Sequence, residues 1–293
     1  MMSKSAKLLV FLIFLKILLV STQENNSIYL MSGFYLPNEH VMVKYIVSVD
    51  LKMPAKPYGS MHICAGSIIN PKFILTAAHC FWDEKTEEFI EETAIQIVAK
   101  TPNLLKRTQH TEILDVEDII IHPYFDYSQT INDIAILHLA SHIHEDDVYA
   151  QRIIFTDGPA EVRTQCTVVG WGFILENKPI SADALFTDIH ILEESSCEEI
   201  FHRRLNGGML CAGDLEDIDR SSCKGDTGGP LLCHGKIAGV MSFALQCSVE
   251  PSVYSDVWYY RDWIYEVAGD GKSSNSISTF KILLLLLLVW IFS

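Results

Sequence analysis

Between Val41 and Ala268 the chain is cut into short apolar runs, each closed by turn residues, and this rhythm limits the fold more than any other feature. "MVKYIVSVDL", "AIQIVAK", "DIAILHLA", "CTVVGWGFI" and "KIAGVMSFA" are rich in residues that suit a pleated, half-buried strand. Gly, Pro, Asn and Asp separate them at short intervals. The pattern predicts an all-β barrel or sandwich. One late segment changes period: Tyr260, Trp263, Ile264 and Val267 fall at i, i+3, i+4 and i+7, the stripe of an amphipathic helix. After Ala268 the composition turns to Gly, Ser and Lys, and the domain is expected to end there. No internal repeat is present.

Both ends differ from this body. Lys4 and Lys7 precede an apolar run from Leu8 to Val20, the layout of a secretory signal peptide cleaved near Ser21 to Gln23. An uncleaved signal anchor is the alternative, and Lys16 interrupts the run under either reading. At the far end, Ile282 to Phe292 is too short to cross a hydrocarbon core of ~30 Å as a helix. Gly269, Gly271, Ser273 and Ser274 lie before a polar spacer and that tail. Small residues, spacer and short apolar tail together read as a GPI-attachment signal, with a tail-anchored span as the alternative. The expected parts are a signal peptide (1–22), an N-terminal segment (23–31), one domain (32–268), a spacer with the anchor site (269–281) and a removed tail (282–293).

Eight cysteines (Cys64, Cys80, Cys166, Cys197, Cys211, Cys223, Cys233 and Cys247) in a chain sent to an oxidising compartment read as disulfides. Their order alone leaves the pairing open. No CxxC or CxxH cluster points to zinc, and no metal or cofactor is expected. The chain carries 22 Lys and Arg against 37 Asp and Glu, which argues against nucleic acid or anionic lipid as a partner. "DEKTEEFIEE" (83–92) concentrates acid and reads as a solvated loop rather than a calcium site. Asn25-Asn26-Ser27 makes Asn25 a glycosylation acceptor.

Three stretches carry chemistry when taken together. "LTAAHC" places His79 beside Cys80, "NDIAIL" places Asp133 at the head of an apolar run, and "GDTGGP" places the hydroxyl of Thr227 between Asp226 and two glycines. A base, an acid that orients it and a hydroxyl, in that chain order, form a nucleophilic triad.

From about Ser32 to Val267 the chain resembles the trypsin/chymotrypsin serine proteases, on "CAGSIINPKFILTAAHC", "VVGWGF", "LCAGD", "CKGDTGGPLLC" and "PSVYSDVWYYRDWI". The resemblance implies two six-stranded antiparallel barrels, a cleft between them and a short C-terminal helix. It implies the pairs Cys64–Cys80, Cys166–Cys233, Cys197–Cys211 and Cys223–Cys247. It casts His79 as general base, Asp133 as its orienting acid, Thr227 at the nucleophile position, and the N–H groups of Gly225 and Thr227 as the oxyanion hole. Ser222, Ser242 and Phe243 resemble residues along the substrate cleft, and Ser221 matches the floor of the specificity pocket. A serine floor does not select Lys or Arg by charge. Ala244 and Ser252 match wall positions that are glycine in wide pockets, so the slot should take a small or medium uncharged residue.

The chain departs from the family at two points. Thr227 adds a γ-methyl to the nucleophile alcohol and is stiff at χ1. A misplacement of about 1 Å costs ~100-fold, and losing such a nucleophile costs on the order of 10⁶ in turnover. The second departure is near Leu30 to Tyr35, where no Arg or Lys precedes and no Ile-Val-Gly-Gly follows. The ammonium that activation would release to pair with Asp226 is therefore not offered. A side-chain cation standing in for it is not identifiable from sequence. Asp226 is then expected to have little to hold it and Gly225 to lose its alignment, and loss of one oxyanion donor costs ~10²–10³. Rescue is expected to need both Thr227→Ser and a restored front end. The expected protein is an extracellular, membrane-anchored homologue with weak or absent peptidase activity. It would bind a peptide or protein, such as a protease inhibitor or an active protease. The competing expectation is a working endopeptidase with Thr227 as nucleophile.

If the tail is a lipid-anchor signal, phosphatidylinositol-specific phospholipase C should release the protein from intact cells. Protein that stays on the membrane after complete digestion, extracted by detergent with Phe292 still present, would rule the anchor out.

Overall fold

The computed structural model describes residues 34–35, 42–53, 61–172, 182–202, 205–214, 225–244 and 250–269. The Asn25 sequon, both termini, Ser221, Ser222, Cys223 and Cys247 lie outside the described residues.

β1 (Phe34–Tyr35) comes first in the chain but pairs later, with the second barrel. The first barrel is built from β2 (Ile46–Leu51), β3 (His62–Asn70) and β4 (Phe73–Thr76). A small hairpin follows, β5 (Trp82–Asp83) with β6 (Glu88–Phe89). The barrel is completed by β7 (Ile95–Ala99), β8 (Glu112–Ile121) and β9 (Ala135–Leu139). It closes in the order β2-β3-β4-β9-β8-β7, every pair antiparallel. In β8 the period of two is plain: Leu114 and Val116 are buried, while Ile113, Asp115 and Glu117 face water. The acidic turn joining β5 to β6 is exposed from Glu84 to Phe89, as a solvated loop should be.

The second barrel uses β10 (Gln165–Gly170), β11 (Leu185–Ile191), β12 (Met209–Gly213), β13 (Pro230–Cys233), β14 (Lys236–Phe243) and β15 (Ser252–Asp256). The order β11-β10-β13-β14-β15-β12 closes because β12 pairs back on β11 through His190 and Ile191. β1 adds to β11, with Phe34 opposite Phe186. The architecture is thus two closed six-stranded antiparallel barrels, which settles the barrel-or-sandwich alternative.

Two α-helices accompany the sheets. α1 (Glu194–Phe201) has no counterpart in the sequence-based expectations. Cys197 on its buried side is tied to Cys211 of β12, so covalent tethering rather than a strong apolar stripe marks its place. α2 (Val257–Ala268) is the expected C-terminal helix. Asp256 caps its N-terminus by accepting from Trp258 N–H at 2.9 Å, and Gly269 ends it in a positive-φ conformation (φ 75°) that glycine takes without strain. Val257, Tyr260, Ile264 and Ala268 are buried, and Trp263 and Val267 pack beside them. This face belongs to the same apolar cluster as Ile46, Ile68, Leu75 and Ile136 of the first barrel and Ile237 and Val240 of the second. This cluster therefore joins both barrels to the helix.

Three of the four expected disulfides lie among the described residues, namely Cys64–Cys80, Cys166–Cys233 and Cys197–Cys211. Their sequence separations are 16, 67 and 14 residues. In the chain-entropy account the longer loop stabilises more, by about 1.4 kcal/mol for the 67-residue loop over the 14-residue one. Removing Cys166 and Cys233 together, as alanines, should therefore lower the unfolding free energy more than removing Cys197 and Cys211. Denaturant titration of both double variants measures this, and the opposite order would defeat the entropic reading. Mass mapping of the non-reduced protein should also yield a Cys223–Cys247 peptide.

Candidate active site

The histidine is placed by a short 3-10 turn, Ala78–Phe81, that leaves the end of β4. The Cys64–Cys80 bridge ties this turn to β3. Asp133 lies just ahead of β9, 1% exposed. Its Oδ1 accepts the backbone N–H of His79 at 2.8 Å, and its Oδ2 accepts the ring Nδ1–H at 2.7 Å. One carboxylate thus fixes both the backbone and the ring of the same residue. Ser242 of β14 donates its hydroxyl to Oδ2 at 2.5 Å, and Ser255 of β15 donates to the Asp133 carbonyl at 2.7 Å. The neighbouring Asn132 accepts from Tyr260 OH of α2 at 2.9 Å. The acid belongs to the first barrel, but the second barrel and the helix hold it in place.

The electrostatics follow from this geometry. Burial alone would pull the His79 pKa down, but the Asp133 charge and hydrogen bond reverse it, and the net shift is upward. Burial would push the Asp133 carboxyl up. The facing His79 charge and the donors from His79 and Ser242 outweigh it, and the carboxyl stays below the usual range. With Nδ1 donating to Asp133, a neutral ring presents Nε2 as a proton acceptor, the state a general base needs.

The nucleophile loop is stitched to both barrels through its backbone. Thr227 carbonyl accepts from Ala65 N–H at 2.7 Å, Gly228 N–H donates to Met241 at 2.8 Å, and Gly229 N–H donates to Asp226 at 2.8 Å. Gly228 has φ +79°, and a Cβ there would lie 2.2 Å from Thr76 Oγ1 and 2.4 Å from Ala65 carbonyl oxygen, so only glycine fits. Gly225, the expected oxyanion donor, has φ +98°. Among the described residues no hydrogen bond joins Thr227 Oγ1 to His79.

Asp226 departs from the sequence-based expectation that little holds it. Gly172 N–H donates to its Oδ1 at 2.8 Å. The carboxylate also lies where side chains at Gly170 or Gly172 would sit. The Gly225 carbonyl is engaged as well, with His62 Nε2 2.7 Å away. No motif singles out His62; it reaches the loop only because β3 opens beside it.

The remaining expected residues are placed as follows. Ser242 is buried, with its hydroxyl committed to Asp133. Phe243 stacks edge-on against Phe201 at 5.3 Å. Ala244 packs against the cluster that holds Cys166 and Met241. Ser252 is fully buried, and its hydroxyl has no hydrogen-bond partner among the described residues. Ser221 and Ser222 are outside the described residues, so the pocket floor is not placed. Among the described residues no group of three His, Cys, Asp or Glu side chains is disposed to hold a metal ion.

Comparison with known proteins agrees with this geometry. The protein-family model described as Trypsin matches residues 37–264. Trypsin II-P29 of Gallus gallus is 31% identical over 237 residues, covering 80% of this chain and 87% of the relative. Trypsin-3 of Salmo salar is 30% identical over 206 residues, covering 69% and 82%. Serine protease 1 of Rattus norvegicus is 29% identical over 237 residues, covering 80% and 88%.

The coupling of His79 to Asp133 has a direct readout. Asp133→Asn removes the charge but leaves the burial, so the His79 imidazole should titrate below the ordinary histidine value of about 6.5 instead of above it. NMR titration of the His79 ring measures this. The sign extends to stability. A raised His79 pKa contributes stability that is complete below about pH 6.5 and lost as pH rises through the folded value. That contribution should vanish in Asp133→Asn, and an unchanged His79 titration would show that Asp133 does not set it.

Proposed function

The chain belongs to the trypsin family, and from that premise we propose that it is an extracellular, surface-anchored member that binds a peptide or protein in its cleft and hydrolyses it weakly or not at all. The observation that carries this reading is Thr227. Its alcohol is secondary, hindered by the γ-methyl, and in no hydrogen bond with His79 among the described residues. Proton removal by Nε2 requires such contact in the reacting complex. The loop around it is held through backbone atoms, so the cleft keeps its form whatever the hydroxyl does.

Three disulfides among the described residues fit an oxidising, extracellular compartment. No helix among the described residues is long and apolar enough to cross a membrane. The proposed lipid anchor rests on the small residues, spacer and apolar tail after Ala268. The bound partner is a polypeptide with a small or medium uncharged residue at the specificity pocket. The side chains at Ala244 and Ser252 favour such a residue over a large aromatic one. A protease inhibitor or an active protease fits the same cleft.

A second reading is favoured by one observation. The His79–Asp133 pair is complete, down to the Ser242 hydroxyl on Oδ2. That arrangement also serves an endopeptidase with Thr227 as nucleophile.

Turnover of a peptide library by the purified ectodomain separates the two. Because Asp226 and Gly225 are both engaged, Thr227→Ser alone is expected to raise turnover by about 100-fold or more, without a new N-terminus. This departs from the need for a double repair inferred from sequence. Thr227→Ala should bind the same peptides as the wild type without cleaving them. A wild type that turns over as fast as Thr227→Ser would favour the endopeptidase instead.

A further inference from the structure

Behind the nucleophile loop lies a polar chain that the His79–Asp133 pair does not use. Ser48 and Asp50 stand two apart on β2, and His62 opens β3 opposite Asp50. Ser48 is fully buried and Asp50 is 1% exposed. Ser48 Oγ is hydrogen-bonded to Asp50 Oδ1 and, at 2.6 Å, to His62 Nδ1. His62 Nε2 then reaches the Gly225 carbonyl at 2.7 Å. The Trp171 ring packs edge-on against the His62 ring at 5.9 Å. No cation pairs with Asp50 among the described residues, and Lys52 of the same segment is engaged by Asp115 at 2.8 Å. A carboxyl this deep with a hydroxyl as its partner costs the fold free energy if ionised, and packing alone does not call for it.

The protons can be placed by elimination. A carbonyl oxygen only accepts, so His62 Nε2 carries a proton. Burial pulls the His62 ring down to about 4 and so keeps it neutral; Nδ1 is then bare and accepts the single proton of Ser48. Ser48 has only lone pairs left for Asp50, so the Asp50 carboxyl is protonated and donates. The chain therefore runs one way, from Asp50 to Ser48 to His62 to the Gly225 carbonyl. The environment agrees. Burial raises the Asp50 carboxyl despite the Ser48 contact, and pulls His62 down to about 4 despite the Gly225 carbonyl.

We infer that Asp50 is a positioning residue for the oxyanion site. By fixing the direction of this chain it keeps the Gly225 carbonyl on His62, and so keeps the Gly225 N–H turned toward the cleft. The Gly225 N–H and carbonyl sit on successive peptides joined through its Cα, and a glycine at φ +98° has no side chain to restrict the rotation between them, so holding the carbonyl on His62 limits where the N–H can point. The chain does this from within β2 and β3, without an ammonium freed by cleavage. Its meaning for the reaction rests on the reading of the cleft given above; its geometry does not.

The test compares Asp50→Asn, Asp50→Ala and Ser48→Ala in the purified ectodomain. The asparagine amide donates to Ser48 as the protonated carboxyl does, so it should behave as wild type. The alanine variants break the chain. Both should speed solvent exchange of the His62 ring N–H by about tenfold or more and shift the Gly225, Asp226 and Thr227 amide resonances. Should Asp50→Ala fail to fold, Ser48→Ala carries the same comparison. Resonances and exchange in the alanine variants that match wild type would overturn the inference. So would an Asp50→Asn protein as disturbed as Asp50→Ala. A second arm uses the Thr227→Ser background, where Asp50→Ala should lower kcat by about tenfold or more with KM within about twofold, and Asp50→Asn should restore it. An inactive Thr227→Ser with the expected NMR changes would count against the account of Thr227 and leave the positioning role standing. An active Thr227→Ser with kcat unaffected by Asp50→Ala would sink the positioning role alone.

Discussion

The carboxylate of Asp133 is a full charge in the interior, and much of the structure around it is arranged to satisfy it. At 1% exposure it cannot rely on water. A buried carboxylate without partners costs several kcal/mol, so donors must converge on it. They come from distant parts of the chain: both N–H groups of His79 after β4, and the Ser242 hydroxyl from β14. Ser255 of β15 and, through Asn132, Tyr260 of α2 hold the adjacent backbone. Each contact crosses from the first barrel to the second or to the helix, except those of His79. Satisfying one charge therefore also sets how the two barrels meet.

The same economy governs the nucleophile loop. Its glycines are required where backbone must pass backbone. Gly228 lies against Thr76 and the Ala65 carbonyl, while Gly170 and Gly172 leave room for the Asp226 carboxylate. These constraints come from close approach and positive φ, not from chemistry at the cleft. A side chain at any of them would push the loop off β3 or expel Asp226 from its seat against β10.

Much of this was legible in the sequence because it is local. The β-type runs fall on strands, and "AIQIVAK" and "KIAGVMSFA" contain the whole of β7 and β14. His79, Asp133 and Thr227 each sit in a short stretch with characteristic flanks. What escaped was whatever depends on register or on distance. Ser48, Asp50 and His62 become a chain only because β2 and β3 pair with a register shift between Val49 and Asp50, which no residue type announces. α1 escaped because it is short and held by a disulfide rather than by a clear apolar period. The role of Gly172 in holding Asp226 escaped because the two are 54 residues apart.

Retention of His79 and Asp133 beside Thr227 need not report selection for turnover. Asp133 is buried, so losing the His79 ring would remove one of its donors and the charge that faces it, leaving the carboxylate less compensated in the interior; the pair is held by the requirements of folding. Thr227 is under no such constraint. Its contacts to the barrels run through backbone, and among the described residues its partly buried side chain donates to no group on which the core depends. The nucleophile position is thus where this fold can lose chemistry at the smallest cost in stability. A chain of this family that exchanged hydrolysis for binding would be expected to change there first and to keep the rest of the constellation intact.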